Sequence, residues 1–351
     1  MLYRLDGDEF GILLLGGDTK EAAHLFDKLQ QNFCKQQEYG GKKYFCTLSA
    51  GYAAYPEDGG NYLELFKRAN YSLEYSKIMG KNRMTVFSGN ILADRERRLE
   101  LMELLRESVE RGFAGFSIHY QPQADTLSGR LCGAEALARW HCGKYGDVSP
   151  GEFIPLMEQS GLIVPFGQWI LSHGMAQCLE WCRSRPDFQI SVNLSYLQLS
   201  QGDFISFLRT ALEENSLDPS RLIMELTETY LAKAEVDTLR LIAQMKELGV
   251  KIAMDDFGVG YSSLFSLKSI PVDVVKIDRR FVKGITSDPF NATFIRSITD
   301  LCHDVGRKVC LEGVETKEEY EAVRELGMEY IQGYYFGRPM SARRFEDRLK
   351  E

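Results

Sequence analysis

The sequence predicts an α/β protein in which a TIM-like (β/α) barrel follows a partial α+β domain. Seven short apolar stretches in the second half of the chain alternate with helical patterns. Apolar runs of this length between helices are typical of parallel strands that are buried on both faces. A length of 351 residues is too great for one average domain and suits a barrel with a smaller companion.

Each of the seven stretches ends in a carboxylate, an amide or a lysine. In a (β/α) barrel the strand ends meet at one mouth, where the active site lies. The sequence therefore predicts a polar site built from strand ends. The stretches are CGAEAL at Glu135, ISVNLS at Asn193, LIMELTE at Glu225 and Glu228, IAMDDFG at Asp255 and Asp256, VVKID at Lys276, VCLEGVE at Glu312 and Glu315, and YIQGYYF at Gln332.

The acids at these strand ends indicate bound cations. Carboxylates that lie close together raise one another's pKa and repel. No His or Cys lies among the predicted ligands, so the ligand set is all oxygen once Asn193 is included. Oxygen ligands favour Mg²⁺ or Mn²⁺ over Zn²⁺. The acids are Glu135, Glu225, Asp255, Asp256 and Glu312.

The first 87 residues predict an α+β domain. Strand patterns cover residues 10–15 and 44–52, and helical patterns cover residues 20–37 and 62–79. Apolar residues at helical spacing predict a connecting helix over residues 94–111. Within the barrel, helices are predicted over residues 155–159, 167–183, 203–214, 235–248, 289–305 and 317–326.

Composition and charge exclude several classes of protein. A net charge of -8 argues against a surface for nucleic-acid polymers, which need a basic face, but allows a small phosphate ligand held by metals. No run reaches the roughly 18 apolar residues of a membrane helix, and no signal peptide is evident. The chain begins nine residues before Phe10 of a predicted hairpin, which indicates a fragment of a longer protein.

The eight cysteines show neither a CxxC pair nor a zinc spacing. We expect reduced, mostly buried thiols of a cytosolic protein. Cys178 and Cys182 lie one helical turn apart and could be read as a site. Core packing is the better interpretation, because no further ligands lie nearby in the sequence.

From about residue 97 to residue 351, the motifs resemble the EAL domain family, the phosphodiesterases of cyclic di-GMP. Glu135-Ala136-Leu137, followed by Arg139, matches the family signature, although the tripeptide alone would carry no weight. The resemblance rests on many motifs in the family's order. These are YQPQ at 120–123, VSPGEFIP at 148–155, NLS at 193–195, DDFGVGYSSL at 255–264, KIDRRFV at 276–282, EGVET at 312–316 and QGYYFGRP at 332–339.

The N-terminal segment resembles the second half of the GGDEF domain family, which makes cyclic di-GMP from GTP. The heptapeptide RLDGDEF ends at Phe10 and has Asp6 where the family has its first glycine. The first half of that domain is absent, so we expect no diguanylate cyclase activity. The resulting domain prediction is a partial, degenerate GGDEF domain over residues 1–89, a connecting helix over 90–112 and an EAL phosphodiesterase domain over 113–351.

The resemblance implies catalysis with two ions, Mg²⁺ or Mn²⁺, which suits hydrolysis of a phosphodiester. Asp255 would bridge the two ions, and the catalytic residues would be Lys276, Glu135, Asp255 and Glu312. The remaining ligands would be Glu135, Asn193 and Glu225 for the first ion, and Asp256 and Glu312 for the second.

The resemblance also assigns roles around the metals. Lys276 would orient or deprotonate the attacking water, the alternative being a structural ion pair with Asp278 or a barrel acid. Arg139 would contact a substrate phosphate, unless it is simply a solvent-facing arginine. Glu228 would anchor the loop of residues 257–263, which could also be a plain connection. The guanine and phosphate pocket would be lined by Gln121, Leu137, Glu315 and Gln332.

The leading hypothesis is a cyclic di-GMP phosphodiesterase that yields linear pGpG in bacterial second-messenger signalling. The first alternative is a catalytically silent cyclic di-GMP receptor. A different Mg²⁺-dependent barrel enzyme that forms an enolate is disfavoured, because a Lys or His base pair is lacking. We expect a cytoplasmic homodimer that pairs through the EAL domain and has no membrane segment in this chain, while a longer parent has room for an upstream sensor or membrane segment.

Overall fold

The computed structural model describes residues 1–35, 37–200, 203–232, 236–259, 267–268 and 270–350. The chain divides into two compact units, Met1–Leu101 and Met102–Glu351. Across this described part, no helix combines the length and the apolar character that crossing a membrane requires.

The first unit is an α+β arrangement of short strands and longer helices. Its elements are β1 (Leu2–Asp6), β2 (Glu9–Ile12), α1 (Thr19–Phe33), β3 (Gln37–Tyr39), β4 (Lys42–Tyr44), β5 (Ala50–Tyr52), α2 (Tyr62–Ile78), β6 (Met84–Val86) and the first part of α3 (Gly89–Glu110). The pairs β1–β2 and β3–β4 are antiparallel, whereas β5 and β6 run parallel.

The predicted helices of this unit are present, with shifted ends. Asp18 and Asn61 cap α1 and α2 by accepting hydrogen bonds from backbone N–H groups three residues on. The continuous strand predicted over residues 44–52 is wrong, because residues 45–49 lie outside any strand. The two ends of that stretch serve different partners: β4 turns back antiparallel on β3, and β5 runs parallel to β6.

The second unit contains a closed eight-stranded barrel, which confirms the predicted fold class. Its strands are β7 (Phe116–Asp125), β8 (Leu131–Cys142), β10 (Gln189–Asn193), β11 (Leu222–Thr227), β12 (Lys251–Phe257), β13 (Val274–Ile277), β14 (Lys308–Glu312) and β15 (Tyr330–Gln332), with β9 (Gly146–Val148) added at the edge of β8. All seven predicted stretches are strands, and neighbouring ones pair in parallel from β8 through β10 to β15.

The eighth strand departs from a simple (β/α) repeat. β7 runs antiparallel to both β8 and β15 and closes the barrel between them. From the sequence, part of β7 was recognisable only as the YQPQ motif at residues 120–123. A hairpin needs no crossover helix, so β7 lacks the βα pattern that revealed the other strands.

Helices follow most of the parallel strands. They are α4 (Pro150–Ser160), α5 (Ile163–Cys182), α6 (Tyr196–Ser200), α7 (Phe204–Asn215), α8 (Glu228–Leu231), α9 (Val236–Glu247), α10 (Pro289–Asp304), α11 (Lys317–Val323) and α12 (Ala342–Lys350). The predicted start of α4 at Pro155 is wrong. Ser149 caps the helix and Pro150 occupies its first turn, so Pro155 lies inside it. The predicted start of α9 at residue 235 lies outside the described residues.

An apolar cluster lies inside the barrel beneath its polar strand ends. Ile223, Ala253, Val274 and Cys310 form one buried cluster, and Tyr330 packs against it. Each lies two residues before a predicted site residue on the same strand. Because side chains two apart on a strand share a face, the apolar cluster and the polar residues both point into the barrel.

The cysteines fit the packing interpretation. All eight are free thiols. The sulfur atoms of Cys178 and Cys182 lie 3.9 Å apart, and both thiols donate to the carbonyl oxygen of Phe188. Cys178 is fully buried, so this pair belongs to the contact between α5 and the start of β10.

A close backbone contact beside the site gives a test of the fold. A Cβ atom at Gly333 would lie 2.0 Å from the carbonyl oxygen of Val314, so we expect Gly333→Ala to destabilise the barrel by about 1–3 kcal/mol. Gly143→Ala is the control, because a Cβ there meets nothing within 4 Å. The three tryptophans all lie in the second unit, so urea unfolding followed by their fluorescence reports on the barrel. Equal midpoints for the two variants would contradict this packing.

Candidate active site

A buried lysine lies at the centre of the barrel mouth. Lys276, on β13, is only 1% exposed. Its Nζ atom lies 2.7 Å from Glu225 Oε2, 2.7 Å from Glu312 Oε1, 3.3 Å from Glu135 Oε2 and 3.3 Å from Asp255 Oδ1. The burial of this ammonium would lower its pKa, but the four acids outweigh that effect and raise the pKa well above its usual value. Lys276 is therefore charged across the physiological pH range.

The strand register explains why these side chains meet. Asn193 on β10 lies beside Glu225 on β11, and Glu312 on β14 lies beside Gln332 on β15. Because neighbouring parallel strands end at the same side of the sheet, their terminal side chains converge. The structure thus brings together the predicted residues at the ends of all seven parallel strands.

Two amides hold Glu135 in place. Asn193 Nδ2 donates to Glu135 Oε1 at 2.7 Å, and Gln332 Nε2 donates to Glu135 Oε2 at 2.6 Å. Burial would raise the pKa of Glu135, but Lys276 and these two donors together lower it. These contacts therefore favour the carboxylate form of Glu135.

Other acids of the mouth are harder to ionise. Burial, then repulsion from Glu135, raises the pKa of Glu225 well above its usual value. Burial raises the pKa of Glu312 to about 7, although Lys276 opposes the shift. Asp256 also has a raised pKa, because of burial and the neighbouring Asp255. The mouth holds more negative charge than one lysine neutralises.

Asp255 and Asp256 reach the same site although they are consecutive on a strand. Successive strand residues point to opposite faces. Here the register with β13 shifts between Met254 and Phe257, and Asp256 adopts a positive φ of 57°. As a result, carboxylate oxygens of Asp255, Asp256 and Glu312 all lie within 4.8 Å of one another.

The site residues fit divalent cations. Five carboxylates and one ammonium leave four negative charges when all are ionised, which two divalent cations balance. Glu225 Oε1 is buried and lacks a hydrogen-bond partner among the described residues, so it is an oxygen ready for a ligand. The carboxylates and the amide of Asn193 offer oxygen atoms, which suit Mg²⁺ or Mn²⁺.

Glu228 contacts the loop that follows β12. It is 1% exposed at the start of α8, and its Oε2 atom accepts a hydrogen bond from Gly258 N at 3.0 Å. At the same position, a Cβ on Gly258 would meet the ring of Phe281 at 2.5 Å. Residues 260–263 of the predicted loop lie outside the described residues. The anchoring role of Glu228 stays a prediction that this contact supports.

The predicted substrate residues lie around the mouth. Gln121 lies opposite Glu135 in the β7–β8 register, and Leu137 and Arg139 follow on β8. Arg139 is half-buried, and burial lowers the pKa of its guanidinium. Glu315 is exposed beyond β14. Their contacts with a substrate stay predictions.

Gln123 was not among the predicted site residues. This glutamine on β7 is buried, and its Nε2 atom donates to Gln332 Oε1 at 2.9 Å. Gln123 lies two residues after Gln121, a predicted site residue. Because residues two apart on a strand share a face, this spacing could have indicated that Gln123 also points into the barrel.

Two roles were predicted for Lys276: acting on the attacking water, or a structural ion pair with Asp278 or a barrel acid. Asp278 instead accepts from Arg280 N at the start of a 3-10 turn. The ion pairs with barrel acids are present, and the catalytic role stays a prediction.

A barrel with these acids at its strand ends defines the class of protein. The chain belongs to the EAL domain family, which it matches over residues 102–339. Residues 1–83 match the diguanylate cyclase GGDEF domain. The recognition of both families from sequence motifs is therefore confirmed.

Individual relatives carry the same pair of domains or the same barrel. The bifunctional diguanylate cyclase/cyclic di-GMP phosphodiesterase MucR of Pseudomonas aeruginosa is 36% identical over 342 residues, which is 97% of this chain and 50% of MucR. A solved structure described as PaMucR phosphodiesterase in complex with c-di-GMP is 39% identical, with a TM-score of 0.65, over 70% of this chain and 99% of that one. The EAL enzyme Bd1971, bound to cAMP and cyclic di-GMP, is 29% identical, with a TM-score of 0.68, over 82% and 75% of the two chains. This chain spans about half the length of the curated relatives it matches.

The raised pKa values predict a pH-dependent stability when divalent cations are chelated. The pKa of Glu312 is about 7 in the folded state against a usual 4.5, and that of Glu225 is also raised. The folded barrel thus keeps protons that the unfolded chain has released. This stabilisation is complete below about pH 4.5 and is lost as the pH rises through about 7, at a cost of about 1–3 kcal/mol.

Urea unfolding in EDTA at pH 5, 6, 7 and 8, followed by tryptophan fluorescence, measures this loss. Glu312→Gln is the control, because an amide does not titrate, and it should flatten part of the slope. Glu135, whose pKa is lowered, acts only below this pH window. A midpoint that rises between pH 5 and pH 8 in wild type would contradict the charge distribution described above.

Proposed function

We propose that this chain is a cyclic di-GMP phosphodiesterase that hydrolyses its substrate to linear pGpG with two Mg²⁺ or Mn²⁺ ions. The observation that carries the proposal is the convergence of five carboxylates and Asn193 around one lysine at the mouth of an EAL barrel. The relatives named above support the substrate, because two of the solved structures contain cyclic di-GMP.

The residues present divide into two ligand groups. Asp255 lies close to Asp256 and Glu312. Like Glu135 and Glu225, it also contacts Lys276, so it would be shared. Divalent cations, when bound, stabilise the charge that develops on phosphoryl oxygens and favour ionisation of an attacking water. The ligands would be Glu135, Asn193, Glu225 and Asp255 for one ion, and Asp255, Asp256 and Glu312 for the other.

We assign Lys276 the role of orienting the attacking water. An ammonium carries three donors and no acceptor, so a charged lysine can hold a water oxygen but cannot take its proton. The raised pKa of Lys276 favours this role over that of a general base. The same charge keeps Glu135, Glu225 and Glu312 close together.

Substrate recognition would use the rim of the mouth. Arg139 follows Glu135 by four residues on β8, and its planar guanidinium suits two hydrogen bonds to a phosphate. The guanine and phosphate contacts would be completed by Gln121, Leu137, Glu315 and Gln332. Pairing of two chains through the EAL domain stays a prediction, which sedimentation at working concentration tests.

The activity has a direct test. Wild type incubated with cyclic di-GMP and Mg²⁺ or Mn²⁺ should release pGpG, resolved by chromatography. Glu135→Ala removes a proposed metal ligand and the acceptor of both amides. Residues that only support a metal ligand contribute up to about 100-fold, so the loss of the ligand itself should lower turnover by about 100-fold or more. Glu180→Ala is the matched control, because Glu180 is an exposed acid on α5 that pairs with Arg183, and it should retain wild-type turnover.

Two other outcomes would redirect the proposal. Binding of cyclic di-GMP without turnover in either metal would favour the silent receptor. Equal turnover in wild type and Glu135→Ala would place the hydrolysis elsewhere.

Formation of cyclic di-GMP from GTP would contradict our expectation that the first unit lacks cyclase activity.

A further inference from the structure

A relay of side-chain amides runs from β7 to the metal-binding acids. Gln123 Nε2 donates to Gln332 Oε1 at 2.9 Å, and Gln332 Nε2 donates to Glu135 Oε2 at 2.6 Å. Gln123 Nε2 also lies 3.4 Å from Ser191 Oγ, a longer contact. Gln123 is 7% exposed and Gln332 is 4% exposed. Both amides are therefore shielded from water that could substitute for a missing partner.

The chemistry of the groups dictates the direction of this relay. A carboxylate only accepts hydrogen bonds, so Gln332 must present its NH₂ group to Glu135. The carbonyl oxygen of Gln332 then faces Gln123 and requires a donor. Gln123 supplies that donor, which disfavours the flipped orientation of the Gln332 amide, because flipping would oppose oxygen to oxygen at Glu135.

The fold makes room for Gln123 at this place. The antiparallel strand β7 sets Gln123 directly opposite Gln332 on one side and Gly133 on the other. A Cβ atom at Gly133 would lie 3.0 Å from Gln123 Oε1 and 3.0 Å from the carbonyl oxygen of Gln189. A larger residue at Gly133 would thus press on the Gln123 amide.

We propose that Gln123 is a positioning residue for the hydrolysis, acting through Gln332 to fix the carboxylate of Glu135. The proposal rests on the proposed function and adds to it a residue outside the metal ligands and the substrate rim. Removing Gln123 leaves the carbonyl oxygen of Gln332 without its donor, so the amide loses its fixed orientation. The carboxylate of Glu135 can then take more than one orientation, and it is no longer fixed for binding a metal.

A double-mutant cycle tests whether Gln123 acts through Gln332. Gln123→Met keeps the size of the side chain and removes the donor. We expect kcat to fall about tenfold with KM changed less than about twofold, the lower end of the effect of outer partners of a metal site. In the Gln332→Met background the same change should have no further effect. Gln177→Met is the matched control, because Gln177 contacts Glu346 on the outer face of the barrel, and it should leave kcat unchanged.

A second measurement, of Mn²⁺ affinity, does not depend on turnover. Calorimetric titration of Mn²⁺ without substrate should show an affinity about tenfold weaker in Gln123→Met than in wild type. The double variant should bind Mn²⁺ no more weakly than Gln332→Met alone. Tryptophan fluorescence verifies that each variant is folded. If Gln123→Met does not fold, Gln123→Glu replaces it. Glutamate has the same shape, but its carboxylate cannot donate a hydrogen bond to Gln332 Oε1.

The outcomes separate this proposal from the proposed function. If Gln123→Met lowers kcat by the same factor in wild type and in Gln332→Met, Gln123 acts by general packing, and the relay is overturned. Unchanged kcat and unchanged Mn²⁺ affinity would overturn it as well. If wild type binds Mn²⁺ but does not hydrolyse cyclic di-GMP, the proposed function fails while the Mn²⁺ cycle still tests the relay.

Discussion

The site depends on the balance of charge around one buried lysine. Lys276 contacts four carboxylates that could not otherwise lie so close together in a barrel shielded from water. Removing one partner from a buried ion pair costs about 3–5 kcal/mol, because the other charge remains uncompensated. The lysine therefore holds the acids together, and the excess of negative charge that it leaves would attract the divalent cations of the proposed function.

The fold supports this balance in two layers. The lower layer of the barrel contains an apolar cluster, and each residue of this cluster lies two positions before a polar residue on the same strand. The upper layer carries the charges and the amides. Because strands alternate their faces, this pattern places the polar groups at the mouth above the apolar cluster. β7, the antiparallel strand, adds Gln121 and Gln123 from a direction that the parallel repeat does not supply.

The parallel strands and their terminal residues were predictable from sequence, because each carries the same local pattern of an apolar run that ends in a polar group. Glu135, Asn193, Glu225 and Lys276 follow from that pattern alone. The pattern also placed Asp256 among the clustered acids. Strand alternation alone would turn it away from Asp255, so its approach to Glu312 depends on a register shift and a positive φ. Gln123 was missed because its partner Gln332 lies 209 residues away in the chain. The start of α4 was misplaced, because Ser149 caps the helix and Pro150 lies in its first turn.

The central claim is that the mouth binds two cations that share Asp255. Crystals grown with Mn²⁺ and measured at the manganese absorption edge test it most directly, because anomalous scattering locates manganese independently of the protein. The account predicts two peaks in the barrel mouth, both beside Asp255, with Asp256 and Glu312 at one and Glu135, Asn193 and Glu225 at the other. A single peak, or peaks that leave Asp255 without a metal, would contradict it.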